Sequence, residues 1–231
     1  MLNLAGLQVI YEDNHLIAVN KPASVLVHGD ATGDTPLTEY VKQYIKLRYK
    51  KPGDVFLGVI HRLDRPVSGT IVFARTSKAL TRMSKLLRDR QVDKCYWAVT
   101  KNRPYPLSGQ LKHYLLKDHS KNVTKAYDKI GNRTSKAKLA ELQYKLISEI
   151  ENHFLLEVHP ITGRPHQIRV QLSSMKCPII GDLKYGYKKG NDNGSIHLHC
   201  REMTFIHPVK KEQISISCDP PDDAIWNRFV D

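Results

Sequence analysis

Apolar residues recur at two different spacings along the first third of the chain. Gln8–Tyr11 and Leu16–Asn20 are short β-prone runs on either side of Glu12-Asp13-Asn14-His15, whose Asp-Asn centre suits a tight turn, so the chain should open as a hairpin. Lys21-Pro22 ends the second run. Thr35 then offers an N-cap with Pro36 at the first helical position, and Leu37, Val41, Tyr44 and Ile45 follow at helical spacing towards a stop near Lys51-Pro52-Gly53. Phe56–Leu63 and Gly69–Ala74 read as buried strands around a polar turn centred on Asp64. Ser77 is placed to cap a second helix running to about Arg90, with Ala79, Leu80, Met83, Leu86 and Leu87 on one stripe and Lys78, Arg82 and Lys85 on another side.

From there strand patterns dominate. Val92–Thr100 alternates cleanly, Cys95, Trp97 and Val99 on one side and Tyr96 and Ala98 on the other. After a Pro-containing turn at Lys101–Leu107, the polar, lysine-rich stretch Gly109–Lys138 reads as an antiparallel excursion. Lys138–Ile147 mixes helix-favouring composition with the alternation of Leu142, Tyr144 and Leu146, and the alternation argues for a strand. Phe154–Val158 is a further strand, and Pro165 opens a helix with Ile168, Leu172 and Met175 facing the core. Short strands are expected at Ile196–Leu198 and Ile214–Ser217. The whole pattern predicts an α+β fold with a mixed, mainly antiparallel central sheet and flanking helices.

A length of 231 residues fits one domain, 1–231, whose sheet divides into two lobes. Apolar runs such as Ile71–Ala74 are far short of the roughly 20 residues that span a bilayer, and Met1–Tyr11 lacks the basic start and long apolar stretch of a secretion signal, so a cytoplasmic location is expected. Cys95, Cys177, Cys200 and Cys218 are scattered with no C-x-x-C pair, consistent with reduced thiols. Charge adds more. The formal net charge is +13, and the surplus of Lys and Arg lies in the middle, from Val41 to Lys138, between acidic ends. A polyanion is the most economical partner for such a block, because each cation set near a phosphate releases counterions. A basic solvated surface is the plainer alternative.

Three segments concentrate polar side chains beside apolar ones. His61-Arg62-Leu63-Asp64-Arg65 is set between two apolar runs, where polar groups cost a few kcal/mol unless paired; a salt-bridged turn explains it as well as a reactive site does. Its order, H-R-L-D, with no glycine-rich loop and no D-F-G, is not that of a kinase catalytic loop. Thr162-Gly163-Arg164-Pro165-His166-Gln167-Ile168-Arg169 crowds cations at a helix start, suiting either an anion site or an ordinary capped helix. Tyr96 is either a sheet residue or a flat surface on which a base stacks. His197-Leu198-His199-Cys200 has no second ligand cluster at usable spacing, so no metal is expected. Neither a P-loop nor G-x-G-x-x-G occurs, and no nucleotide cofactor is expected.

His61–Ala74, reading HRLDRPVSGTIVFA, closely resembles the signature of the RluA-type pseudouridine synthases, H-R-L-D-x-x-T-S-G followed by an apolar strand. The resemblance extends to Val19-Asn20-Lys21-Pro22-Ala23, to Lys94–Val99 and to Thr162–Gly186, in the family's order. Val67 and Pro165 stand where Thr is usual, and Ser24 where Gly is usual. What this resemblance implies is a pseudouridine synthase fold with a central cleft, and isomerisation of uridine to pseudouridine in RNA without a cofactor. Asp64 would be the essential aspartate, Arg169 its counter-ion and Tyr96 the ring against the target uracil. Arg62 would enter the space left by a flipped base, and Lys21, His61, Arg65, Arg164, His166, Gln167 and Ile168 would make up the rest of the substrate-binding set. An ordinary aspartate, titrating near 3.9, is already ionised at neutral pH. Attack by the carboxylate and removal of a ribose proton both remain open. The substrate would be a ribosomal or transfer RNA stem-loop whose target uridine is unpaired or extruded at a cost of a few kcal/mol. With the first hairpin beginning near Gln8, a stand-alone catalytic domain, monomeric and without a separate N-terminal RNA-binding module, is expected. A catalytically silent RNA-binding protein on the same scaffold is the competing reading.

Overall fold

The computed structural model describes residues 4–30 and 32–230. In chain order its strands and helices are β1 (Gln8–Glu12), β2 (Leu16–Lys21), α1 (Leu37–Arg48), β3 (Gly58–Val59), β4 (Ser68–Ala74), α2 (Ser77–Arg88), β5 (Val92–Thr100), β6 (Ser108–Asp118), β7 (Val123–Tyr127), β8 (Lys138–Ile150), β9 (His153–Pro160), α3 (Gln167–Ser174), β10 (Leu198–Ile206) and β11 (Gln213–Ser217), with short 3-10 turns between them. This is the α+β, mainly antiparallel arrangement that the pattern predicts. Among the described residues no helix is long and apolar enough to cross a membrane. The chain divides into two compact units, one of residues 1–93 and 200–221, the other of 94–199 and 222–231.

In the first unit the strands run in the order β1-β2-β4-β10, with β3 added to β4 and β11 to β10. The opening hairpin forms because Asp13 supplies an Asx turn, its Oδ1 accepting the N–H groups of His15 and Leu16, each at 2.8 Å. β2 and β4 pair from Leu16↔Ala74 to Lys21↔Gly69. All of β4 is buried, as its near-continuous apolar sequence requires of a central strand. Helix α1 starts differently from expectation. Pro36, not Thr35, is at the cap position and no side chain caps the helix; the backbone N–H groups of Leu37 and Thr38 instead donate to the carbonyls of Leu26 and Val27 at 2.7 and 3.4 Å. Helix α2 is capped by Thr76, whose hydroxyl accepts from Ala79 N at 3.2 Å, one residue before the expected Ser77. The strand expected over 56–63 contracts to Gly58–Val59, because beyond Val59 the N–H of Val72 on β4 is taken by His61 Nε2 at 3.1 Å. Conversely β10 runs on to Ile206, well past the expected Leu198.

The second unit is a five-strand array in the order β5-β9-β8-β6-β7. The lysine-rich excursion is the β6–β7 hairpin, paired from Tyr114↔Tyr127 to Asp118↔Val123. The ambiguous stretch is strand β8, paired on both sides, with β6 and with β9. Its core includes a cluster of Val99, Leu155, Ile180 and Trp226 and another of Leu115, Ala140, Val170 and Tyr185. Ile168 and Leu172 of α3 are buried, whereas Met175 lies past the end of the helix and is half-buried.

Candidate active site

In the first unit the segment between β3 and β4 alternates in burial as a reactive loop must. Leu63 and Val67 are buried and Arg62 and Arg65 are exposed, with Asp64 half-buried between them. The two apolar side chains anchor the loop, and the turn is closed by Val67 N donating to Asp64 O at 3.0 Å. An apolar side chain at 67, where the resemblance leads one to expect threonine, therefore sits in an apolar setting. The loop is tied to the 22–25 turn: Ser24 N donates to Arg65 O at 2.8 Å, and Arg65 Nε donates to Ser24 O at 3.2 Å. Ser24 has φ 68°, a left-handed conformation that glycine adopts without cost, which accounts physically for the glycine usual there. Arg65 also pairs with Asp34 at 2.5 Å across an exposed surface.

Lys21 is fully buried. Its Nζ donates to the carbonyls of Pro22, Val25 and Arg65 at 2.9, 2.7 and 3.2 Å. Three carbonyls match the three N–H groups of an ammonium. Burial draws its titration down to about 7, opposed by the Asp64 carboxylate and reinforced by the charge of Arg65. Lys21 thus lies electrostatically beside Asp64 while gripping the backbone one residue on. Burial, and then the charge of Arg62, lowers the pKa of His28. His61 is spent on the Val72 N–H, so Nε2 is the acceptor nitrogen. Behind the loop Gly69 has φ +117°, and a Cβ there would lie 2.4 Å from Cys200 O and 2.5 Å from Cys200 N, a space no side chain can share. A separate cavity of about 380 Å³ in this unit, lined by Ile45, Tyr49, Asp54, Phe56 and Arg75 among others, includes none of the motif residues.

In the second unit the Thr162–Gln167 turn is held by its own side chains. Gln167 Oε1 accepts from Thr162 Oγ1 at 2.8 Å and from Arg164 N at 2.9 Å, and its Nε2 donates to Glu141 O at 3.0 Å. Arg164 Nε donates to Leu139 O at 3.0 Å. His166, in the left-handed region at φ 55°, opens α3. Its Nδ1 is hydrogen-bonded at 2.7 Å to the Tyr185 hydroxyl, which also accepts from Thr124 N at 2.9 Å. On the buried side of α3, Arg169 forms a two-bond ion pair with Asp182 and lies over the Tyr185 ring. Burial raises the Tyr185 phenol above its ordinary pKa. Tyr96 lies in β5 opposite Val158 of β9 and is 8% exposed.

The sequence-predicted residues therefore gather as two sets. Lys21, His61, Arg62, Asp64 and Arg65 belong to the first unit, and Tyr96, Arg164, His166, Gln167, Ile168 and Arg169 to the second. Within these sets Lys21, His61 and Gln167 meet backbone groups and hold loops in shape. Asp182 and Tyr185 stand inside the quoted Thr162–Gly186 match, but residue-type reasoning gave them no role. Cys95, Glu157 and His159 also escaped notice: they come within 4.8 Å of one another through the β5–β9 register, a proximity that distance along the chain hides. His197 and His199, which do stand together in the sequence, pack against Trp226.

Comparison with known proteins bears on this arrangement. The family model described as RNA pseudouridylate synthase matches residues 15–174. A tRNA pseudouridine synthase C from Vibrio parahaemolyticus is 30% identical over 245 residues, covering 96% of this chain and 95% of its own. A ribosomal large subunit pseudouridine synthase C from Rickettsia prowazekii is 34% identical over 216 residues, covering 92% of this chain and 68% of its own. The solved structure of human RNA pseudouridylate synthase domain containing 4 superposes with a TM-score of 0.77 at 27% identity, over 93% of this chain and 89% of that one. The match spans both sets of residues and both units, and on that ground the chain belongs to the RNA pseudouridylate synthase family, isomerases that convert uridine in RNA to pseudouridine.

Proposed function

We propose that this chain, as one catalytic domain over residues 1–231, isomerises particular uridines of structured ribosomal or transfer RNA, with Asp64 as the reacting carboxylate, Arg169 as its guanidinium partner and Tyr96 against the uracil. The observation that carries this reading is the 61–67 loop. Buried Leu63 and Val67 and the three-carbonyl grip of Lys21 hold a half-buried carboxylate at a fixed place, and fixed placement is what a reaction with little binding energy at the bond itself requires. The reaction breaks N1–C1′ and joins C5 to C1′; N1 gains a proton and C5 loses one, so no atoms are lost. Attack of the carboxylate on C1′ and removal of a ribose proton both begin from ionised Asp64. A stacked base cannot turn, and in this reading Arg62, which is exposed, occupies the gap left by an extruded nucleotide. The Lys- and Arg-rich stretch from Val41 to Lys138 supplies phosphate contacts that offset extrusion. The enzyme works as a monomer in the cytoplasm and needs no nucleotide cofactor.

The test is tritium release from C5-labelled uridine in RNA. Asp64→Ala should abolish release and leave RNA affinity within about threefold, while Arg62→Ala should weaken binding. Equal loss of affinity in both variants contradicts this division of roles, and cleavage of the RNA in place of release contradicts the reaction. Mapping pseudouridines in total RNA with and without the protein identifies the target uridine.

A further inference from the structure

Within its own unit the carboxylate that Arg169 meets is Asp182. Both are buried, Arg169 at 5% exposure and Asp182 at 1%, and two parallel bonds join them, Nε to Oδ2 at 2.7 Å and Nη2 to Oδ1 at 2.8 Å. A two-bond contact fixes the plane of the guanidinium as well as its distance. Tyr185 constrains the same plane, its ring centroid 4.9 Å from the guanidinium carbon. That ring is in turn held at its hydroxyl by Thr124 N and His166 Nδ1, and its main-chain carbonyl accepts from Ser173 Oγ at 2.6 Å. Asp182 has a backbone equally well fixed: its N–H donates to Ile179 O at 3.0 Å, and its carbonyl accepts from Tyr185 N and Tyr187 N at 3.1 and 3.0 Å. The preceding Gly181 has φ +86°, and a Cβ there would lie 2.7 Å from Asn191 Nδ2 and 2.8 Å from Ser195 O, so the turn that delivers Asp182 admits only glycine.

A buried ion pair does little better for stability than apolar side chains of the same volume. One placed on α3, with its partner locked by a ring and a glycine turn, is explained better by orientation. We infer that Asp182 is a positioning residue of the isomerase: it engages one edge of the Arg169 guanidinium so that the opposite edge presents its donors to the reacting carboxylate in a fixed plane, and it does not itself touch the RNA. The inference rests on the proposed partnership of Arg169 with Asp64. Since Asp182 already balances the charge of the guanidinium, Arg169 contributes directed donors more than net positive charge. Lysine at 169 would keep the charge and lose the direction.

The experiment compares Asp182→Asn, Asp182→Glu, Arg169→Lys and the double variant Arg169→Lys with Asp182→Asn. It measures kcat and KM by tritium release, RNA affinity by filter binding and the thermal midpoint of each protein. Asp182→Asn should lower kcat by about 100-fold with KM and RNA affinity within about threefold. In the Arg169→Lys background the same substitution should cost less than about threefold more, because the group through which it acts is gone. A kcat within about threefold of wild type in Asp182→Asn overturns the inference, as do fully multiplicative losses in the double variant. Collapse of both folding and activity in Asp182→Asn and Asp182→Glu also overturns it, since the pair would then serve stability alone. A wild-type protein that releases no tritium overturns the proposed function, and this inference with it.

Discussion

Lys21→Met removes one charged donor and leaves the side-chain stem in place. Three bonds are lost, to Pro22 O, Val25 O and Arg65 O at 2.9, 2.7 and 3.2 Å. Bonds to a charged group contribute about 1.5–3 kcal/mol each, so the gross loss is about 4.5–9 kcal/mol. The desolvation of the ammonium, several kcal/mol, disappears at the same time. The net destabilisation should be about 2–4 kcal/mol, which in a chain of this size lowers the thermal midpoint by about 5–15 °C. Turnover should fall with it, because Arg65 O is one residue beyond Asp64. The pH dependence isolates the cause. Lys21 titrates at about 7 when folded against an ordinary 10.5, so the penalty of holding it charged is fully present below about 7. Between there and 10.5 the unfolded chain carries the extra proton, and wild-type stability gains with rising pH relative to the methionine variant. Urea and thermal unfolding of both proteins from pH 6 to 10, with tritium release alongside, measure this. A midpoint drop below about 2 °C with full turnover would refute the reasoning, and so would parallel pH slopes in the two proteins.

Gly69→Ala should cost about 4 kcal/mol or more, since it combines a forbidden φ with a 2.4 Å approach to Cys200 O; a soluble variant with an unchanged midpoint would show that the backbone can give way. Gln167→Leu removes the side chain that joins Thr162, Arg164 and Glu141, with an expected loss of about 2–4 kcal/mol and reduced kcat, read by unfolding and steady-state kinetics; wild-type values in both would show that the turn is held from elsewhere. Asp13 pays a desolvation penalty that raises its pKa, but the N–H groups of His15 and Leu16, the Tyr11 hydroxyl and His207 outweigh it and hold the group at about 2 against an ordinary 3.8. The stabilisation is present above the higher value and is lost as the pH falls towards the lower one; Asp13→Asn should remove about 2 kcal/mol at pH 7 and flatten acid unfolding in that window, and an unchanged acid limb would count against it.

What could be read in the sequence was whatever depends on neighbours along the chain. The opening hairpin was legible because Asp13 caps its own turn, and β5 and β9 because alternation over a strand needs no distant partner. Residues 60–63 were expected to continue a strand, but the apolar side chains there anchor a loop, and a histidine side chain, not a strand, completes the ladder at Val72. Thr76 and Ser77 both offer a capping hydroxyl, and only the direction in which the chain leaves β4 selects the first. The motifs singled out His61, Arg62, Asp64 and Arg169, and the resemblance put Lys21 in the substrate-binding set, yet nothing in its neighbours along the chain discloses three backbone carbonyls around its tip. Asp182 was hidden for the same reason: its partner Arg169 is 13 residues back, across the end of α3 and the turn that follows it, and pairing at that range is a property of the folded unit.

The seam between Gly69 and Cys200 has a consequence for how the protein is made. On the ribosome, residues 1–93 leave the exit tunnel with β4 still lacking its neighbour β10, and they must wait while 94–199 are synthesised before Cys200 arrives to close against Gly69. Until then a strand that is wholly buried in the finished fold has an open edge, the kind of surface on which newly made chains stick to one another. Chaperone dependence during synthesis should therefore track the delay before residue 200 emerges, and a circular permutant in which 200–221 precede residue 1 should shed much of it.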